Sequence, residues 1–157
     1  MRLASVAALT ALLGMVVVGG TARAEEVRVA KPNLIGGELG GRGVFCTVNY
    51  ERYLNSHVGA GVGIEPGSPV WWTVYVSYLP GNVHSLYLSA GVTVVTLKVF
   101  GEEVGAPKPF HVAAGYQFQT PGGFVIRPFG MLWFIHVDFI NETHALPWAG
   151  LTIARSF

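Results

Sequence analysis

Val70-Trp71-Trp72-Thr73-Val74-Tyr75-Val76-Ser77-Tyr78 alternates with a period of two: Val70, Trp72, Val74, Val76 and Tyr78 fall on one side, and Thr73, Tyr75 and Ser77 on the other. Successive side chains of a strand point to opposite faces, so this is a strand with one apolar and one polar face. Residues 85–95 repeat the pattern, with Leu86, Leu88, Ala90, Val92 and Val94 against Ser85, Tyr87, Ser89, Gly91 and Thr93. So do residues 110–119, where Phe110, Val112, Ala114, Tyr116 and Phe118 alternate with His111, Ala113, Gly115, Gln117 and Gln119. No helical period runs for more than a turn after residue 25.

Turn-forming residues divide the strands. Short turns fall at Asn55-Ser56, Pro80-Gly81-Asn82 and Thr120-Pro121-Gly122-Gly123, and longer loops at 65–69, 101–109 and 135–145. Gly40-Gly41-Arg42-Gly43 closes a first hairpin. The spacing predicts eight strands, at about 32–40, 43–54, 57–64, 70–79, 84–98, 110–119, 123–134 and 146–157. Short and long connections alternate, as in an up-and-down barrel with one plain rim and one elaborated rim.

Composition narrows the setting. The 157 residues are 51% hydrophobic and only 12% charged, with a mean hydropathy of +0.46. A soluble domain carries about a quarter charged residues. Half of that cannot coat a water-facing surface, which argues against a cytosolic enzyme and against a disordered tail. A formal charge of +1 gives no basic patch for nucleic acid, and a single cysteine, Cys46, excludes an internal disulfide. Cys46 reads as a small apolar filler on a strand. Residues 1–24 read as a secretory signal, with Arg2 as the positive start, Leu3 to Val18 as the apolar run and Ala22-Arg23-Ala24 as the cleavage site. Removing them leaves a barrel domain at 25–157 with 8 basic and 9 acidic side chains, a formal −1.

Alternation alone does not say which face points inward. A soluble barrel would need Lys, Glu, Asp and Arg on its polar face. Here that face is Gly, Ser, Thr, Tyr and Gln, with Gly59, Gly61 and Gly63 on one strand, which suits the crowded inside of a narrow barrel. Residues 66–97 contain no formally charged side chain, while Pro69 and Pro80-Gly81-Asn82 exclude a spanning helix. Strands of about ten residues cross a bilayer, and closure satisfies every backbone group there. Tyr50, Tyr53, Trp71, Trp72, Tyr78, Trp133, Phe134 and Trp148 cluster near strand ends, as interfacial girdles do. The expected fold is all-β: an eight-stranded antiparallel up-and-down transmembrane β-barrel after a cleaved signal peptide.

Ala149, Leu151, Ile153, Arg155 and the final residue Phe157 share one face. This resembles the C-terminal assembly signal of bacterial outer-membrane barrels and implies engagement of a barrel assembly machinery during biogenesis. Arg155 departs from the apolar pattern, at a place where it can snorkel to the membrane edge. Glu38-Leu39-Gly40-Gly41, Asn49-Tyr50-Glu51-Arg52, Gly115-Tyr116-Gln117-Phe118 and Phe124-Val125-Ile126-Arg127 are similar to motifs of small eight-stranded outer-membrane β-barrel proteins of Gram-negative bacteria, a largely uncharacterised family. The resemblance spans about residues 33–157. It implies a fold, a location in the outer membrane and contact with its lipid, with short turns toward the periplasm, and it brings no established reaction.

Candidate chemistry is sparse. Glu38, Glu51 and Arg127 fall on the expected luminal face, as a gate or proton path or, as favoured, a structural ion-pair cluster that fills the lumen. Outer-membrane lipid A deacylases place one residue between a catalytic His and Ser; His84 and Ser85 are adjacent and should point to opposite faces. His136, Asp138, Glu142 and His144 gather possible ligands in one loop, but nothing fixes their geometry, and no metal or other cofactor is assigned. Gly59-Ala60-Gly61-Val62-Gly63-Ile64 lacks the last glycine of a dinucleotide fingerprint and opens no helix. The leading expectation is a non-enzymatic outer-membrane barrel with a structural, surface-interaction or limited-permeability role. The rivals are an outer-membrane enzyme acting on lipid or lipopolysaccharide and a soluble periplasmic barrel holding a small apolar ligand.

Overall fold

The computed structural model describes residues 23–43, 45–66, 70–81, 84–99, 102–105, 109–137 and 142–157. Apart from Arg23 and Ala24, the expected signal segment lies outside the described residues, as does Asp138. A short helix, α1 (Arg23–Ala30), precedes nine strands: β1 (Asn33–Gly40), β2 (Cys46–Tyr53), β3 (Val58–Glu65), β4 (Val70–Tyr78), β5 (His84–Val99), β6 (Glu102–Gly105), β7 (Phe110–Gln119), β8 (Phe124–Val137) and β9 (Glu142–Ser156). Eight of them close into an antiparallel barrel in the order β4-β3-β2-β1-β9-β8-β7-β5, with β5 returning to pair with β4. Among the described residues, the four residues of β6 pair only with the end of β5 (Thr96 opposite Gly105 through Val99 opposite Glu102) and extend one rim.

Three features depart from the sequence reading. The expected loop at 101–109 contains β6, and most of the expected loop at 135–145 is ladder, with Ile135 opposite His144 and Val137 opposite Glu142. Each polar segment is carried on by a partner strand already in register, which sequence polarity does not reveal. Helix α1 stands where no helical period was legible. It is held from outside: Arg28, 1% exposed, donates through Nη1 to the carbonyls of Ser56 (2.7 Å) and Gly81 (2.8 Å), and Lys31 Nζ donates to the Gly122 carbonyl (3.1 Å). All three short turns are thereby tied to the N-terminal segment, which lies across the plain rim.

Burial alternates along the strands, and the outer face is the apolar one. Val48, Val62, Val74, Val76, Leu88, Val92, Ile126, Leu132 and Ile153 are exposed, whereas Thr47, Asn49, Thr73, Ser77, Gln117 and Thr152 are buried. Apart from Glu142 at the tip of β9, the charged side chains exposed among those barrel-strand residues whose side chains are described are Arg52 and Arg155, each one residue from a strand end at the plain rim. Cys46 is exposed on the same outer side. Outward aromatics form two bands: Tyr78, Tyr116, Phe118, Phe124 and Phe157 near the plain rim, and Trp72, Phe110 and Phe134 near the other. Tyr53, Trp71, Trp133 and Trp148, grouped with the girdles from sequence, instead lie on the inward face because the strand pleat puts them in phase with buried neighbours; Trp71 and Trp133 rings meet at 5.7 Å.

Candidate functional site

The lumen is where polar chemistry collects, and β3 makes room for it. A side chain at Gly59 would run into Ser77 and Glu51, one at Gly61 into the Tyr75 ring, and one at Gly63 into Asn49 and Thr73. Missing side chains on one strand let long ones from the others reach the barrel axis.

Two ion pairs occupy that axis among the described residues. Arg127, fully buried on β8, donates through Nη1 to Glu51 Oε2 on β2 at 2.7 Å and through Nε to Gln117 Oε1 at 3.0 Å. Glu51 also accepts from Ser77 Oγ (2.5 Å) and the Tyr75 hydroxyl (3.2 Å). The second pair joins Glu38 on β1 to Arg42. Gly40 and Gly41 have φ of 65° and 74°, a left-handed conformation that glycine adopts at least cost, and the turn they form folds inward and carries Arg42 into the lumen. Glu38 additionally accepts from the Arg42 backbone N–H (2.7 Å), Asn49 Nδ2 (3.2 Å) and Thr152 Oγ1 (3.2 Å).

Two tyrosines couple the pairs. The Arg42 guanidinium lies 3.8 Å over the Tyr75 ring, whose hydroxyl donates to Glu51. Tyr87 accepts at its hydroxyl from Arg42 Nη2 and presents its ring 4.1 Å from the Arg127 guanidinium. Toward the plain rim, polar contacts continue from Gln117 to Tyr53 (3.2 Å) and Gln119 (3.2 Å), and from Gln119 to Ser156 (3.2 Å). Each of these four luminal charges, Glu38, Arg42, Glu51 and Arg127, thus has an opposite charge and further hydrogen-bond partners, the condition under which charges persist in an interior.

Glu38, Glu51 and Arg127 are all luminal and buried, and they divide between two ion pairs that Tyr75 and Tyr87 join. Arg127 meets Glu51 alone, and Glu38 has its own cation in Arg42, which the sequence reading left as a turn residue. A signal was there: two carboxylates and one arginine leave a net charge that a narrow interior does not tolerate, and Arg42 stands four residues from Glu38. Tyr75, Tyr87 and Gln117 were placed on the polar face without a role.

The remaining candidates are dispersed. Ser85 Oγ, buried, accepts from the Gly81 N–H and donates to the Leu86 carbonyl, both at 2.8 Å, while the His84 ring packs on Phe118 at 5.6 Å. The two therefore serve different faces. His144 Nε2 lies 3.6 Å from Glu142 Oε2, both side chains well exposed; the His136 side chain lies outside the described residues. Among the described residues no three His, Cys, Asp or Glu side chains are grouped as metal ligands. The 59–64 glycine run is part of β3. Phe157 lies at the barrel seam, its N–H donating to the Asn33 carbonyl (2.8 Å) and its carbonyl accepting from the Asn33 N–H (3.2 Å), with its side chain exposed.

These features define a class by architecture, a closed eight-stranded antiparallel barrel with a charged, internally paired lumen. Comparison with protein-family models, with curated proteins and with solved structures finds no match to this chain.

Proposed function

We propose that this chain is a membrane-spanning barrel of the bacterial outer-membrane kind, with a structural or surface-interaction role, a side-chain-filled lumen and no catalytic activity. The observation that carries the reading is the inverted distribution of polarity. Val62, Val74 and Val76 are 51%, 61% and 55% exposed, while Arg42, Arg127 and Glu38 are fully buried. In water such a molecule would expose a far larger apolar surface than a soluble monomer does. In hydrocarbon the same surface is solvated, and barrel closure satisfies the backbone. The two outward aromatic bands have the arrangement of interfacial girdles, and Arg52 and Arg155 stand where their charges reach headgroups. The plain rim with α1 would face the periplasm, following the rule of short periplasmic turns.

The test uses Val76, which lies between Tyr78 of one band and Trp72 of the other. Folding into phosphatidylcholine vesicles is followed by heat-modifiable electrophoretic migration and urea titration. Val76→Leu should fold as the parent, whereas Val76→Arg should lose roughly 2–4 kcal/mol, the cost of arginine near the bilayer midplane. Equal stability of the two variants, or recovery of the protein from cells as a soluble species, overturns the reading.

A further inference from the structure

The wall of the barrel is uneven at the rim away from α1. β1 pairs with β9 only as far as Gly40 opposite Gly150, with one further bond from the Gly41 N–H to the Ala149 carbonyl (3.1 Å), before its turn dips into the lumen. Residues 142–148 of β9 continue beyond it, paired among the described residues with β8 alone. At about 3.4 Å per residue this is roughly 24 Å of strand with one open edge.

The inner face of this hairpin is apolar. Opposed residues share a face, so Leu146 lies beside Trp133 and Trp148 beside Met131. Trp133 and Met131 are buried, but Leu146 and Trp148 remain 49% and 47% exposed. With Ile135 and Trp133 they enclose a hollow of about 230 Å³ with no polar side chain in its lining. On the outer face, Leu88, Val112, Leu132 and Pro147 border an apolar groove of about 580 Å³ that spans β5 to β9, and Trp148 borders both. The outer groove and the inner hollow therefore meet at Trp148 of β9.

We propose that this hollow binds a single hydrocarbon tail of a bilayer lipid, entering sideways past the end of β1; the proposal rests on the membrane reading above. An apolar cavity of about 150 Å³ stays dry and admits benzene, so a hollow of this size takes one chain segment and not a whole lipid. Its level fits: Trp133 adjoins Phe134 of the upper aromatic band, and the polar pair Glu142 and His144 begins just above Leu146. There the open backbone edge meets headgroups and water, which can satisfy it. An added peptide strand fits less well, because Pro147 within the edge has no N–H to offer a ladder.

The full chain is reconstituted in phosphatidylcholine vesicles doped with phosphatidylcholine carrying a mid-chain diazirine, illuminated, and its adducts are mapped by mass spectrometry. Adducts are expected on the outward residues Val76 and Leu88 and also on Ile135, Leu146 or Trp148. Leu146→Asn should lower those on Ile135 and Trp148 at least fivefold while leaving Val76 and Leu88 unchanged. Should this variant not reach the heat-modifiable form, Leu146→Ser is read in its place. Labelling of Val76 and Leu88 without the hollow, or hollow adducts indifferent to the substitution, overturns the tail site and leaves the membrane reading standing. Absence of adducts on all of these positions overturns both.

Discussion

Among the described residues Arg127 has one carboxylate within reach, and both partners are buried, so its removal has a defined consequence. Arg127→Ala leaves Glu51 charged and buried with only Ser77 and Tyr75 to donate to it. Breaking such a pair costs about 3–5 kcal/mol. Adding Glu51→Gln should restore much of that loss, because a neutral amide no longer needs a counter-charge. Adding Glu38→Gln should restore nothing and cost more, since it orphans Arg42. Urea titrations of the single and double variants in lipid check this, and equal rescue by either glutamine would show that the two pairs act as one. The luminal positions of Glu38, Glu51 and Arg127 were legible because the pleat sorts each strand into two faces and the small, uncharged composition of one face marks it as the inner one. Their partners were not. Which carboxylate an arginine meets depends on barrel shear and on the inward fold of the β1–β2 turn, neither of which is written in local periodicity.

At the scale of elements, β3 and β4 work as a complementary pair. Tyr75 is fixed by the Arg42 guanidinium on its face and by Glu51 at its hydroxyl, and it fills the space that Gly61 leaves opposite it. Gly61→Val should therefore lose about 1–3 kcal/mol by overpacking, because the ring cannot retreat without giving up both contacts. Thermal or urea unfolding in micelles measures it; a neutral effect would mean that Tyr75 is free to swing. That the glycines of β3 make room was readable from their spacing of two. The lengths of β8 and β9 were not, because His136 and Glu142 have loop-forming character that a registered neighbour overrides. Helix α1 was illegible for a related reason: eight residues are too few to be stable alone, and contacts of Arg28 and Lys31 with three distant turns hold it.

Across the whole molecule, the barrel pairings run between strands close in sequence except the one between β1 and β9, and that exception has a kinetic consequence. Its luminal contact from Thr152 to Glu38 spans 114 residues, against the few-residue turns of the hairpins. Closing the longer loop costs about 3 kcal/mol more chain entropy than closing a four-residue turn. The hairpins should therefore assemble first and the seam zip last. Gly36 sits on that seam, where an added Cβ would stand 2.6 Å from the Ala154 Cα. Gly36→Ala should leave the appearance of strand circular dichroism on the parent's timescale while slowing the heat-modifiable form roughly tenfold, the equivalent of about 1.4 kcal/mol of crowding. Equal slowing of both signals would place the seam earlier. In a seam-last order, the chain passes through a stage in which β1 and β9 are open edges, β1 offering seven residues of unpaired backbone and β9 their seven partners beside its open residues 142–148, to any other strand nearby. The speed of this final zip, more than the stability of the finished barrel, then decides how long an assembling copy stays vulnerable to pairing with the wrong chain.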